Sequence, residues 1–246
     1  MSLLRVHQLT MAWGERIIQR DLNFEVHPGE VFVIMGASGS GKSSLMRHLV
    51  GLQEPRAGQV WLQDTNLYTC NDEDLSALRR KFGVMFQSGA LWSSMTVGDN
   101  LMLPLKLFTP LSERAMMQRA RFKLALVGLD DCFDALPAEL SGGMKKRVAI
   151  ARSLMLDPDL LYLDEPASGL DPINARRLDE LLRSIRQHLG TTIVLITHSV
   201  ESIFAVADRA LFLDDQSQTM TALDTPQELQ RSGPARVQAF LHKSAA

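Results

Sequence analysis

The sequence predicts an α/β fold: a largely parallel sheet, β-rich at its N-terminal side and interrupted by a helical insertion. Three apolar runs carry that reading: VFVIMG (31–36), LLYLDEP (160–166) and TTIVLITH (191–198). Each is short and continuous, as strands buried on both faces are. Helical patterns alternate with them, which is the order that builds a parallel sheet.

The elements follow in turn. LLRVHQLTMAW (3–13) and DLNFEV (21–26) partly alternate apolar and polar side chains and predict half-buried strands. HPGE (27–30) is a turn, punctuated by Pro and Gly. The strand at 31–36 runs into a glycine-rich loop and then a helix, KSSLMRHLVGL, ending near Gly51. GQVWLQD and KFGVMFQ predict further strands. From Leu91 to Leu140 the character changes. SERAMMQRARFKLALVGL predicts a long amphipathic helix with Ser112 as N-cap, and about 88–158 reads as mostly helical. A helix over Ile173–Leu189 separates the strands at 160–166 and 191–198. RALFLDD and QTMTAL predict a closing hairpin, followed by a short helical tail.

Bulk properties exclude several classes. The chain has 246 residues and a formal net charge of −2, so it lacks the basic excess expected of a nucleic-acid binder. Lys145, Lys146 and Arg147 form a local basic cluster that reads as a solvated helix face. Cys70 and Cys132 stand far apart without a CxxC pattern, which argues against a disulfide framework or a zinc site. No signal peptide is expected at the N-terminus, and no apolar run approaches the ~18 residues of a spanning helix.

GASGSGKS, Gly36–Ser43, matches G-x-x-x-x-G-K-[ST] between a buried strand and a helix. Glycines let successive backbone N–H groups turn toward phosphate oxygens, and the helix N-terminus adds positive charge. Lys42 suits the β- and γ-phosphates and Ser43 suits Mg²⁺. Asp164 ends an apolar strand, where a carboxylate meets the ligand crevice, and suits Mg²⁺ directly or through water. Glu165 follows as the general base for an attacking water. His198 and Gln87 also end strands; each is either a γ-phosphate, metal or water contact or a structural side chain. Trp13 either stacks on a base or packs. In LSGGMKKRVAIARSLM (140–155), Gly142 and Gly143 expose backbone donors at a second helix start. The chain already has one phosphate loop, so this second site is expected to serve the nucleotide of another copy.

Taken together, these motifs resemble the nucleotide-binding subunit of ABC transporters over essentially the whole length. Walker A is Gly36–Ser43, the Q-loop residue Gln87, the signature LSGGM, Walker B LLYLDE, the D-loop SGLD (168–171) and the switch histidine His198. The resemblance implies a P-loop NTPase with a mostly parallel core sheet, an N-terminal antiparallel β subdomain and a helical insertion. Residues 1–246 would form one nucleotide-binding domain, with 1–87 and 159–246 as core and β subdomain and about 88–158 as the helical subdomain. It also implies that ATP and Mg²⁺ are held by Trp13, Gly36, Ala37, Ser38, Gly39, Ser40, Gly41, Lys42, Ser43 and Ser44, with Ser43, Gln87 and Asp164 at the metal. Catalysis would fall to Glu165, His198 and Gln87. In a head-to-tail homodimer, Ser141, Gly142 and Gly143 of one copy would face the ATP of the other, and Asp171 would reach across.

Met144 replaces the Gln common after LSGG. LSGGM, FQSGALW (86–92), Asn100–Leu105 and RVQAFL (236–241) look like the Mla/Mce-type lipid-transport ATPases. That subgroup implies a Mla-type permease, an Mce-domain lipid-binding protein in the envelope, a possible small cytoplasmic regulator and peripheral placement on the cytoplasmic face of a bacterial inner membrane. Leu91, Trp92, Met95, Leu101 and Met102 either contact membrane subunits or pack within the insertion. The alternatives are a lipoprotein-release or macrolide-type exporter subunit, an importer ATPase, or a soluble non-transport ATPase of the same family.

Overall fold

The computed structural model describes residues 2–242. The chain opens with a hairpin of two long strands, β1 (Leu4–Trp13) and β2 (Arg16–Val26). Gly14, the first of the two loop residues between them, has φ 55°, which a two-residue hairpin tolerates best in glycine. Strand β2 starts earlier than the 21–26 read from the sequence. Its first half, RIIQR, lacks alternation and buries Gln19 completely.

There follow β3 (Val31–Met35), α1 (Lys42–Leu49), β4 (Ala57–Leu62), β5 (Thr65–Asn66), α2 (Asp72–Arg79) and β6 (Phe82–Met85). The helical stretch contains α3 (Val97–Phe108), α4 (Glu113–Leu126) and α5 (Gly142–Ser153). Then come β7 (Leu160–Asp164), α6 (Pro172–Leu189), β8 (Thr192–Ile196), α7 (Val200–Val206), β9 (Arg209–Asp214) and β10 (Thr219–Asp224). Helices α8 (Pro226–Ser232) and α9 (Ala235–His242) complete the described chain. Ser112 caps α4 as the sequence predicts, accepting a hydrogen bond from the Ala115 N–H.

Two sheets result. The antiparallel one has the order β2-β1-β4-β5, and the six-stranded one the order β10-β9-β3-β8-β7-β6. In the second sheet all pairings are parallel except β9 with β10. Every residue of β3, β7 and β8 is buried, because both faces of this sheet are covered. One face packs on the antiparallel sheet, with Phe24 of β2 stacked on Phe32 of β3 at 5.5 Å between centroids. The other face packs on α6, α7, α8 and α9.

A third core joins α3, α4 and the apolar side of α5. Leu101 and Met102 lie buried there, whereas Trp92 is 58% exposed. Helix α5 belongs to two cores: Val148 and Ala151 face the third, Ala149 and Ile150 the sheet. The strands β3, β8, β7 and β6 lie side by side, so the loops after their carboxyl ends meet along one edge, the place where open α/β sheets bind ligands.

Candidate active site

The loop after β3 is shaped by glycines that nothing else can replace. Gly36 has φ 153°, and a Cβ there would lie 2.5 Å from the Leu213 carbonyl oxygen and 2.8 Å from Ser40 Oγ. Gly41 has φ 94°, and a Cβ would meet Ile18 at 2.8 Å. The loop therefore lies tight against β2 and β9 and opens into helix α1. Its residues Gly36–Ser44 line a cavity of about 1050 Å³ together with Trp13, Gln87, Glu165 and His198. Trp13, 54% exposed, stands at the end of the β1–β2 hairpin and forms part of the wall.

Lys42 is buried, and its Nζ donates to the Gly36 carbonyl at 3.0 Å and the Ala37 carbonyl at 2.9 Å. Burial draws its pKa below the ordinary lysine value, while Glu165 and Asp164 oppose that shift. Ser43 Oγ donates to Asp164 Oδ1 at 3.1 Å, joining the starts of α1 and the end of β7. Burial raises the Asp164 pKa, partly offset by the Ser43 hydrogen bond. A hydroxyl and a carboxylate so placed beside a phosphate loop suit Mg²⁺, which takes one or two protein ligands and fills the rest with water and phosphate. Ser43, Gln87 and Asp164 also line an adjoining recess of about 510 Å³.

Glu165 has φ 50°, a left-handed conformation in a non-glycine residue. It is held from several sides. Its N–H donates to the Ile196 carbonyl at 2.9 Å, and its carbonyl accepts from the Ser168 N–H at 3.1 Å. Its Oε1 lies 2.6 Å from His198 Nδ1. An ionised carboxylate only accepts, so Nδ1 carries the proton in that contact.

Ser141, Gly142, Gly143 and Asp171 stand apart from this cavity. Ser141 is exposed and caps α5, its Oγ accepting from the Met144 N–H at 3.3 Å. A Cβ at Gly142 would meet nothing within 4 Å, so the start of α5 is open. Asp171 caps α6 through the Ile173 and Asn174 N–H groups, both at 3.1 Å. The Asn174 side chain, with those backbone donors, holds its carboxyl below the usual range.

The basic cluster on α5 is not the solvated face expected from the sequence. Lys146 Nζ donates to the Glu165 carbonyl at 3.2 Å and to the Ser168 carbonyl. Arg147 Nη1 donates to the Val127 carbonyl at 3.0 Å. Further along, Arg152 donates to the Gly89 and Ala90 carbonyls, both at 2.8 Å, fixing the loop that follows Gln87. Gln19 is a second residue that sequence reasoning missed: its Nε2 donates to the Ser40 carbonyl at 2.7 Å and the Asp214 carbonyl at 3.0 Å. Nothing in RIIQR marks Gln19, because its burial inside β2 shows only in the fold. Asn100, which the sequence marks only as the start of the Asn100–Leu105 element, is fully buried and bonds the Trp92, Met95 and Thr96 carbonyls and the Trp92 N–H.

A family model described as ABC transporter matches residues 19–168, more than half the chain. The chain belongs to the ABC transporter family. As a member it is an ATP hydrolase, with the mixed, mostly parallel sheet of that fold. It is 35% identical over 240 residues to the intermembrane phospholipid transport system ATP-binding protein MlaF of Haemophilus influenzae, covering 98% of this chain and 90% of that one. It is 42% identical over 214 residues to the methionine import ATP-binding protein MetN of Mesorhizobium japonicum, spanning 87% of this chain but 58% of that one. A probable ribonucleotide transport ATP-binding protein, mkl of Mycobacterium tuberculosis, matches at 38% over 205 residues, and the chain spans 57% of it. Among solved structures, a dimeric post-hydrolysis state of the ATP-binding cassette MJ0796 bound to ADP and Pi superposes with a TM-score of 0.81. That match has 29% identity and covers 90% of this chain and 98% of that one. Among the described residues no helix is long and apolar enough to cross a membrane.

Proposed function

We propose that this chain is the ATP-hydrolysing subunit of a transporter that moves phospholipid or a related hydrophobic molecule between membranes. It would act as a head-to-tail homodimer under a Mla-type permease, at the cytoplasmic face of a bacterial inner membrane, with an Mce-domain protein beyond the permease and a small cytoplasmic regulator as a further partner. Nucleic acid has no part in this reading. The observation that carries the hydrolytic part is the convergence of Lys42, the Ser43–Asp164 pair and the Glu165–His198 pair on one phosphate loop.

The roles follow from chemistry. The backbone amides of the glycine loop and the start of α1 bind the phosphates. Lys42 exchanges its two loop carbonyls for phosphate oxygens. Ser43, Asp164 and Gln87 are the side chains placed to hold Mg²⁺, which neutralises phosphate charge when bound. Glu165 takes the proton of the attacking water through the carboxylate oxygen that His198 leaves unused. Trp13 offers a stacking face to the base. Ser141, Gly142, Gly143 and Asp171 act on the nucleotide of the second copy.

The lipid assignment rests on the near full-length match to MlaF together with LSGGM and the segment after Gln87. The higher local identity to MetN supports a second reading, an importer subunit, although that relative is much longer than this chain. The test is the membrane partner that co-purifies with the tagged chain. A Mla-type permease with an Mce-domain protein is expected; an amino-acid or sugar permease overturns the lipid reading and leaves the hydrolase standing.

A further inference from the structure

We infer that Lys146 is a positioning residue that ties the nucleotide held at the start of α5 to the readiness of Glu165 in the same chain, and so couples the two ATP sites of a dimer. The inference rests on the two-copy reading given above. Lys146 lies five residues after Ser141, on the helix whose open N-terminus offers Gly142 and Gly143 to the partner's nucleotide. Its Nζ reaches the carbonyls of Glu165 and Ser168, the two ends of the turn that leads from the catalytic carboxylate toward Asp171. The same turn touches α5 a second time: Leu170 lies 3.6 Å from where a Cβ of Gly143 would stand.

These contacts meet at a backbone that needs holding. Glu165 sits at φ 50°, and such a conformation persists only where its surroundings fix it. Its N–H, carbonyl and carboxylate are each engaged by a different element, β8, α5 and the loop after β8. Lys146 is the one member of that set carried by the helix that faces the other site. Burial lowers its pKa, with Glu165 opposing, which fits an ammonium drawn out of water onto protein acceptors. When ATP of the partner seats on α5, a shift of the helix moves the Glu165 carbonyl directly. A misplacement on the order of 1 Å at a reacting group costs about a hundredfold in rate, so a small shift suffices.

The experiment is steady-state ATP hydrolysis by the full chain against ATP concentration, for wild type, Lys146→Met, Lys146→Arg and Lys146→Ala, each checked by thermal melting. Two coupled sites allow a Hill coefficient up to about 2. Lys146→Met is expected to lower kcat by about ten- to a hundredfold, to bring the Hill coefficient near 1, and to leave KM within about twofold. Lys146→Arg, which still donates to two carbonyls, retains cooperativity. Lys146→Ala keeps the helix and behaves as Met does, which covers a Met variant that fails to fold. A raised KM with kcat and cooperativity intact would mark Lys146 as packing only and overturn the inference. Cooperative wild type with equally cooperative Met and Ala variants overturns it while sparing the two-copy reading. A non-cooperative wild type, with no ATP-driven dimer of Glu165→Gln, removes both.

Discussion

On the proposed reading, two adjacent carboxylates, Asp164 and Glu165, take different roles because their surroundings differ. Glu165 holds a strained backbone that costs about 1–3 kcal/mol and fixes its carboxylate on His198. Glu165→Gln keeps the shape and removes the proton acceptor. Its phosphate release is expected to fall by at least about a hundredfold, with ATP binding retained. Unchanged turnover would move the base elsewhere. Asp164 is buried without a full ion pair, so burial raises its pKa from 3.8. Between 3.8 and that raised value the folded protein holds the proton and the unfolded chain does not. Stability from this group is therefore greatest below 3.8 and falls as pH rises through the folded value. Nucleotide-free Asp164→Asn is thus expected to melt above wild type at neutral pH, the gap closing toward pH 4, while hydrolysis is lost. A melting temperature at or below wild type at neutral pH refutes the burial argument.

At the scale of elements, the phosphate loop is held by a neighbour that its own motif does not contain. Gln19 of β2 bonds the Ser40 carbonyl and the Asp214 carbonyl, bridging the loop to β9. Gln19→Leu fills similar space and donates nothing. It is expected to weaken ATP binding about fivefold, the equivalent of one lost hydrogen bond, with kcat nearly unchanged. Nucleotide titration by fluorescence or calorimetry checks this, and wild-type affinity would show the loop to be shaped by its glycines alone. Gln19 also marks where the sequence stops being legible. Strands β3, β7 and β8 announce themselves as apolar runs ending in chemistry. The first half of β2 does not, because RIIQR neither alternates nor stays apolar. Helix α2 was invisible for want of an apolar stripe, although Asn71 caps it and Asp72, Glu73 and Asp74 fill its first turn. Pro104 sits inside α3, where a sequence argues for a break. Lys146 and Arg147 read as solvent-facing because their acceptors are backbone carbonyls far along the chain. Motifs mark the groups proposed to touch phosphate; the groups that hold those motifs in place emerge only with tertiary structure.

At the scale of the whole molecule, one chain does not bring together all the residues proposed to act on ATP. Lys42, Asp164, Glu165 and His198 meet at the carboxyl edge of the six-stranded sheet. Ser141, Gly142, Gly143 and Asp171 face outward at the starts of α5 and α6, away from that cavity. Two outward helix starts, one bearing bare glycines where a Cβ at Gly142 would meet nothing within 4 Å, are what a second nucleotide would require. The arrangement is separable by mutation. Lys42→Ala removes the phosphate contact and spares α5, whereas Ser141→Arg blocks the start of α5 and spares the loop. On the proposed two-copy reading, each variant alone would form homodimers with no complete site. Mixed, they would form heterodimers in which the loop of the Ser141→Arg chain meets the intact α5 of the Lys42→Ala chain, giving one whole site. Phosphate release from the mixture is expected to exceed the sum of the two variants assayed apart, rising with the heterodimer fraction. If the mixture never exceeds that sum while both variants remain folded, each chain completes its own site, and the open glycines of α5 lose their nucleotide.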